Sequence, residues 1–329
     1  MGLEGNVILR LTRRQRLLGS SNPRMTKAPF PTLDVRAAGE RDEPIGSKAK
    51  FWFRDPTDHS RWLFKYARDG TGEHWAEKIA AELAELIGLP HAIVELARLD
   101  SEPGIATRDF TSDQRRKHLV HGNELLFRLD ATYPKERGYH VREHTLDAVR
   151  RAIKQSQAVL PSWPWPVGVV TAWEGFVGYL LLDAWIGNTD RHHQNWGVLV
   201  EASGYATLAP TFDHASSLGR EIDDAERMRR LATADARGDM RAYAGKARSA
   251  LYDVGGCGPL HPCEAFVRAV RTSPIAGDAW ISRLCRVDLD AVLDIVARVP
   301  ERTMSVSARQ FALALLQENR QRLVRSHVR

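Results

Sequence analysis

Cysteine is scarce. The chain has three in 329 residues, Cys257, Cys263 and Cys285. That number excludes a disulfide framework, and with no second pair and no Cys-x-x-Cys spacing it disfavours a structural zinc site. The usage fits a reducing, cytoplasmic compartment. Long apolar runs are missing too: none approaches the ~18 residues that a helical membrane span needs. The basic N-terminus has no apolar stretch followed by a small-residue cleavage site, so secretion is not expected. There is no internal repeat, no low-complexity tract, and no His-Glu-x-x-His spacing. Neither sign of charge dominates, since 47 Lys and Arg against 41 Asp and Glu leave +6. That balance allows a phosphate-bearing or acidic partner without requiring one.

What is present is ordinary for a globular chain, with 43% apolar and 27% charged residues. At ~150 residues per domain, the length predicts two domains or one two-lobed body. Residues 1–40 are Arg-rich and poorly patterned and read as a flexible basic arm. Ala49–Phe53 and Arg61–Tyr66 are aromatic-rich strands around a turn at Arg54–Asp58. A helix follows, with Trp75, Ile79, Leu83, Leu86 and Ile87 on one face, and Gly88-Leu89-Pro90 ends it. Short strands run through Ile93–Leu96 and Gly104–Thr107. After about residue 115 the pattern turns helical, at Leu146–Gln157, Glu174–Ile186, Cys263–Thr272, Val287–Val299 and Ser307–Val324. The expected fold is α+β and two-lobed. A β-rich lobe with one helix spans 41–115, and a larger, mainly helical lobe spans 116–329. Trp163 and Trp165 sit in a proline-rich loop that is rigid and a candidate docking ridge. Arg320, Arg322, Arg325 and Arg329 read as a solvated helix end, favourable at the negative dipole terminus.

The densest polar run follows the most apolar helix: Gly187-Asn188-Thr189-Asp190-Arg191-His192-His193-Gln194-Asn195. A second, Phe212-Asp213-His214, lies beyond a predicted hairpin of Trp196–Val200 and Tyr205–Leu208, which brings the two runs side by side. Asp190-x4-Asn195 is the spacing of a kinase catalytic loop, and a later Asp after a strand suits a metal ligand. One carboxylate orients the attacking hydroxyl, while a second carboxylate and an amide oxygen are hard ligands fit for Mg²⁺. Upstream, Gly46-Ser47-Lys48 opens a turn able to cover phosphates with backbone N–H groups. Lys65 ends a strand within reach of the α/β-phosphates. Glu77 lies about 200° around its helix from Trp75, beside Ala80, Ala81 and Ala84, where a small-residue face lets the helix approach the sheet and points Glu77 at Lys65.

Taken together these residues resemble the HipA-type serine/threonine kinases, and among them the short HipT-like forms, over roughly residues 43–320. The resemblance implies Asp190 as catalytic base and Asn195 with Asp213 as the Mg²⁺ ligands. It implies ATP contacts from Gly46, Ser47, Lys48 and Lys65, the last paired with Glu77. It places the adenine hinge at Thr107-Arg108-Asp109-Phe110, with Arg108 and His192 among the ATP-site residues; by its own chemistry His192 also reads as ordering the loop through hydrogen bonds. It makes Ser47 an inhibitory autophosphorylation site. It further implies the toxin of a bacterial toxin–antitoxin system acting on translation through an aminoacyl-tRNA synthetase. The partners would be a helix-turn-helix antitoxin, through which alone it would meet DNA, and a small separate protein standing for the N-terminal subdomain of long relatives. The chain departs from that family in lacking a Gly-x-Gly-x-x-Gly run and in carrying Gln194 where long relatives often have Lys.

Other readings stand beside this one. Asp190 and Asn195 are both good turn residues. His192, His193 and His214 beside the two aspartates raise a transition-metal hydrolase site, although adjacent histidines seldom ligate one ion. His193 reads as a solvated neighbour. A catalytically silent ATP-binding module and a basic nucleic-acid-binding protein are the alternative functions.

Overall fold

The structure, a computed structural model, describes residues 27–35, 50–111, 117–256 and 258–327. Aromatic and β-branched residues in alternation build a five-stranded sheet in the order β1-β4-β5-β3-β2. Its strands are β1 (Thr32–Val35), β2 (Lys50–Arg54), β3 (Arg61–Tyr66), β4 (Val94–Leu99) and β5 (Glu102–Arg108). β2 and β3 form an antiparallel hairpin that sets Lys50 directly opposite Lys65. The two-residue period then divides the sheet. Trp62, Phe64, Ala97 and Ala106 pack together on one face, and the Lys50–Lys65 pair belongs to the other.

Between β3 and β4 runs α1 (Glu73–Leu86). Its apolar stripe packs into a core that the helical body shares with the sheet. Trp75, Ile79, Leu83 and Ile87 join the core of the helical body, to which β4 adds Leu96, and Ala81 clusters with Val94 and Ile105 of the sheet. That body is built around α4 (Ala172–Ile186), in which every residue except Glu174 is buried. A helix apolar all round belongs inside a core. It packs against α3 (Leu146–Gln155), α7 (Pro262–Val270), α8 (Pro274–Arg286) and α10 (Val306–His327). A second sheet, β6-β7-β8, comprises His118–His121, Gly197–Val200 and Ala206–Leu208. It contains the predicted hairpin. α2 (Gly122–Leu129), α5 (Asp224–Ala232), α6 (Met240–Gly245) and α9 (Leu289–Ala297) complete the described helices.

The flexible arm expected over residues 1–40 is corrected at its C-terminal end. β1 pairs in parallel with β4. Just before it, Phe30 is buried between Lys78 and Arg298, 4.7 and 4.0 Å from its ring centroid. Arg298 also binds Phe30 N–H through its carbonyl at 2.7 Å. A four-residue strand is too short to leave a clear sequence signal, and one aromatic between two cations supplies the anchor. Helices α2, α5, α6 and α8 were not expected either. α5 buries only Arg227, and α2 and α6 are too short for a periodic stripe. Among the described residues, no helix is long and apolar enough to cross a membrane.

Candidate active site

The site begins where α4 stops. Thr171 and Glu174 form a capping box at the start of the helix, and Gly187 ends it in the left-handed region at φ 69°. That glycine releases the chain into the loop holding Asp190. Asn188 closes the first turn: its Oδ1 accepts the Asp190 N–H at 3.1 Å, and its Nδ2 donates to Asp183 Oδ1 at 2.8 Å. Asn195 folds back, Nδ2 donating to the Asp190 carbonyl at 2.7 Å, which leaves its Oδ1 as the atom able to ligate a metal.

Arg191 ties this loop to the rest of the site and was missed in the sequence because arginine reads as a surface residue. It is fully buried. Nε and Nη2 donate to the two Asp183 oxygens at 2.8 and 2.7 Å. Nη1 donates to the carbonyls of Asn195 and Phe212 at 2.6 and 3.2 Å, and Nη2 to Thr211 Oγ1 at 3.1 Å. One planar guanidinium therefore fixes the helix end, the loop and the second run together. The only sequence signal was an Asp183 inside an otherwise apolar helix.

Asp213 sits at φ 60°, an uncommon backbone conformation for a residue with a side chain. Its Oδ1 lies 3.4 Å from Lys65 Nζ, so the structure brings together a strand of the small sheet and the second polar run. Lys65 is not paired with Glu77. Glu77 Oε1 faces His214 Nδ1 at 3.6 Å, and both side chains are buried. Glu77 is nevertheless close enough for its charge to act on Lys65. Burial pulls the Lys65 ammonium down, and the carboxylates of Asp213 and Glu77 outweigh it, leaving its pKa raised. Lys50, also missed, shares the Lys65 face. Burial and the Lys65 charge hold its pKa down, with Asp213 opposing.

Asp190 is held above the usual carboxylate range, first by burial and then by Asp213, against the charges of His192, Arg220 and Arg191. His192 is held below its usual value by burial. Its Nδ1 accepts the Gln194 N–H at 3.1 Å, so the neutral ring carries its proton on Nε2, 3.9 Å from Asp190 Oδ1. His193 is not solvated. It is 1% exposed, shares a 2.7 Å hydrogen bond with the Tyr133 hydroxyl, and burial lowers its pKa to about 4.

One expected contact falls elsewhere. Arg108 pairs in register with Trp62, which puts it on the sheet face opposite Lys65, and its Nη2 lies 3.9 Å from Asp58. The hinge stretch does reach the site through Phe110, whose ring is 5.6 Å from that of Phe212. Gly46, Ser47 and Lys48 lie outside the described residues. Among the described residues, no three His, Cys, Asp or Glu side chains gather as a metal site, so the histidine-rich hydrolase site has no geometric basis there.

The pattern of the HipA-like C-terminal domain matches residues 43–258, about two thirds of the chain. Comparison with curated proteins returns no match. Among solved structures the chain is similar to the proinflammatory kinase CtkA of Helicobacter pylori, at 21% identity and a TM-score of 0.71. That likeness covers 90% of this chain and 97% of that one. It is also similar to a chain of the Shewanella oneidensis MR-1 toxin–antitoxin complex of HipA, HipB and operator DNA. There the identity is 12% and the TM-score 0.51, over 95% of this chain and 70% of that one. At such identities the likeness is one of fold: a small sheet lobe set on a larger helical part.

Proposed function

The chain belongs to the HipA-like C-terminal domain family, and from that premise we propose that it is an ATP- and Mg²⁺-dependent protein serine/threonine kinase. One observation carries the reading. Lys65 and Asp213, 148 positions apart in sequence, meet at 3.4 Å, beside an Asp190 whose own carboxylate responds to the Asp213 charge. Phosphoryl transfer asks mainly for positioning and charge neutralisation, and this set supplies both.

Asp190 accepts or orients the proton of the attacking hydroxyl, and its raised pKa makes it a better base than a solvated aspartate. His192 Nε2–H faces that carboxylate at 3.9 Å. Lys65, with Lys50 opposite it in register, neutralises the nucleotide phosphates. Phe110 and Phe212 offer an apolar surface for the base. A divalent metal fits the donors present: Asp213 and the Asn195 amide oxygen are hard ligands, and a site with so few protein ligands suits Mg²⁺ brought in with phosphate. Bound there, the metal would screen phosphate charge. Release of Asp213 from Lys65 would leave that lysine free to turn to Glu77. Gly46, Ser47 and Lys48 cover the phosphates in this reading, and phosphate on Ser47 would place about −2 charge against them and shut the site.

The finer proposals extend the same reading. The protein is the toxin of a bacterial toxin–antitoxin pair in the cytoplasm, acting on translation through an aminoacyl-tRNA synthetase. Its partners are a helix-turn-helix antitoxin, the only route to DNA, and a small protein like the N-terminal subdomain of longer HipA chains. The HipA complex with HipB and operator DNA supports a partner of that kind.

The test is transfer of labelled γ-phosphate from ATP by the purified chain, to itself or to lysate proteins. Asp190→Asn is expected to lower the rate roughly 10²–10⁴-fold while nucleotide still binds, and chelation of Mg²⁺ to abolish it. Absence of any labelling that Asp190→Asn removes refutes the kinase reading. ATP-induced thermal stabilisation without transfer would make the chain a silent nucleotide-binding module instead.

A further inference from the structure

Helix α1 is gripped by the helical body at both ends. Beyond its C-terminal end, Arg283 Nη1 donates to the Ile87 carbonyl at 3.2 Å and Trp163 Nε1 to the Gly88 carbonyl at 3.0 Å. At its N-terminal end, Glu73 accepts from Arg220 Nη1 at 2.6 Å. Both side chains are largely buried, 6% and 15% exposed. We propose that Glu73 and Arg220 form a positioning pair that sets the nucleotide-side groups Lys65 and Glu77 relative to Asp190.

The connections run in both directions from the pair. Glu73 is the first residue of α1, one turn before Glu77. Arg220 Nη2 donates to Ser216 Oγ at 3.1 Å. The Ser216 carbonyl in turn accepts the Thr189 N–H at 3.1 Å and the Thr189 hydroxyl at 3.4 Å. Thr189 immediately precedes Asp190. The backbone closes the same circuit, because Gly72 N–H donates to the Arg220 carbonyl at 2.9 Å. Segment 216–220 cannot relax easily. Leu218 and Gly219 both lie at positive φ, and a Cβ on Gly219 would meet Phe311 at 2.4 Å. The charges reach both halves of the site: Glu73 contributes to raising the Lys65 ammonium, and Arg220 opposes the rise at Asp190. A first-turn carboxylate acting only on the helix dipole would have no such reach, because that effect fades within one turn.

The kinetic consequence rests on the kinase reading, whereas the structural coupling does not. The test therefore compares Glu73→Gln, Arg220→Met, the milder Arg220→Lys, and the double variant Glu73→Gln/Arg220→Met. Two readouts are used: ATP kinetics, and hydrogen exchange in the chain without nucleotide. Each of the two pair-breaking variants is expected to raise the KM for ATP and lower kcat by about tenfold. The double variant should be no worse than the more damaged single one, with Arg220→Lys intermediate. Hydrogen exchange should quicken together in residues 73–77 and 188–192 in every folded variant that breaks the pair. Effects that multiply in the double variant overturn the proposal. So does exchange that quickens in the first turn of α1 and stays unchanged around Asp190. Wild-type chain that transfers no phosphate would sink the kinase reading, and the exchange data would still decide the pair.

Discussion

Replacing Arg191 by methionine tests the assignment of this buried guanidinium as the joint of the site. The variant keeps the aliphatic length and removes five hydrogen bonds, to both Asp183 oxygens, to the Asn195 and Phe212 carbonyls, and to Thr211 Oγ1. Asp183 would be left a 4%-exposed carboxylate with Asn188 Nδ2 as its remaining side-chain donor at 2.8 Å. Breaking a buried pair from one side costs about 3–5 kcal/mol, because the orphaned charge keeps its desolvation penalty. Domain stabilities are only about 5–15 kcal/mol, so the loss is a large share. In the native chain burial opposes the Arg191 charge, and Asp183 more than restores it. Urea denaturation followed by tryptophan fluorescence should show Arg191→Met and Asp183→Asn each destabilised by that order. The double variant should fall short of the sum by about 1–3 kcal/mol, since neither charge is then left alone. Arg191→Lys keeps the charge but lacks the planar fork, and should fall between. A loss below about 1 kcal/mol in Arg191→Met, or singles that simply add, would refute the reasoning.

Stability should also depend on pH through buried histidines. Burial lowers the pKa of His144 to about 3 and those of His193 and His74 to about 4, against about 6.5 in the unfolded chain. Unfolded chain therefore takes up protons the native state refuses, and stability is lost as pH falls below about 6.5, by up to about 1.4 kcal/mol per histidine per pH unit. Equal denaturation midpoints at pH 7 and pH 5 would contradict this. Lys65→Met should weaken nucleotide binding at least about tenfold in a fluorescent-nucleotide displacement assay, since a buried charge-assisted contact contributes about 1.5–3 kcal/mol; unchanged affinity would remove Lys65 from the site. Gly178→Ala would set a Cβ 2.5 Å from Trp280 and 2.8 Å from Leu89. Despite the better helix propensity it should lose about 1–3 kcal/mol by overpacking, and a neutral or stabilised variant would show that α4 has room to shift.

Much of the site was legible because its chemistry is local. Asp190, His192 and Asn195 lie within six residues, in a loop that must follow a helix capped by a left-handed Gly187. The hairpin of β7 and β8 is short enough for turn residues to predict it, and it returns Asp213 to the same end. Arg108 was misassigned because a one-residue difference in strand register exchanges the two faces of a sheet. His193 was misread for a related reason: adjacent side chains diverge, and which of two neighbouring histidines turns inward depends on Tyr133, 60 positions away.

The sequence by itself determined the α+β character, the main helices, and the order in which lysine, glutamate, aspartate and asparagine appear, because periodicity and spacing are written along the chain. The tertiary structure decided what those groups touch. It buried the stripe of α1 in the helical core, with Leu96 of the small sheet beside it. It paired Lys65 with Asp213 and Glu77 with His214. It drew Arg191 inside to meet Asp183, and joined Glu73 to Arg220 across 147 positions. A charge can be buried only where a partner from elsewhere in the chain arrives to compensate it, and no local pattern records that arrival.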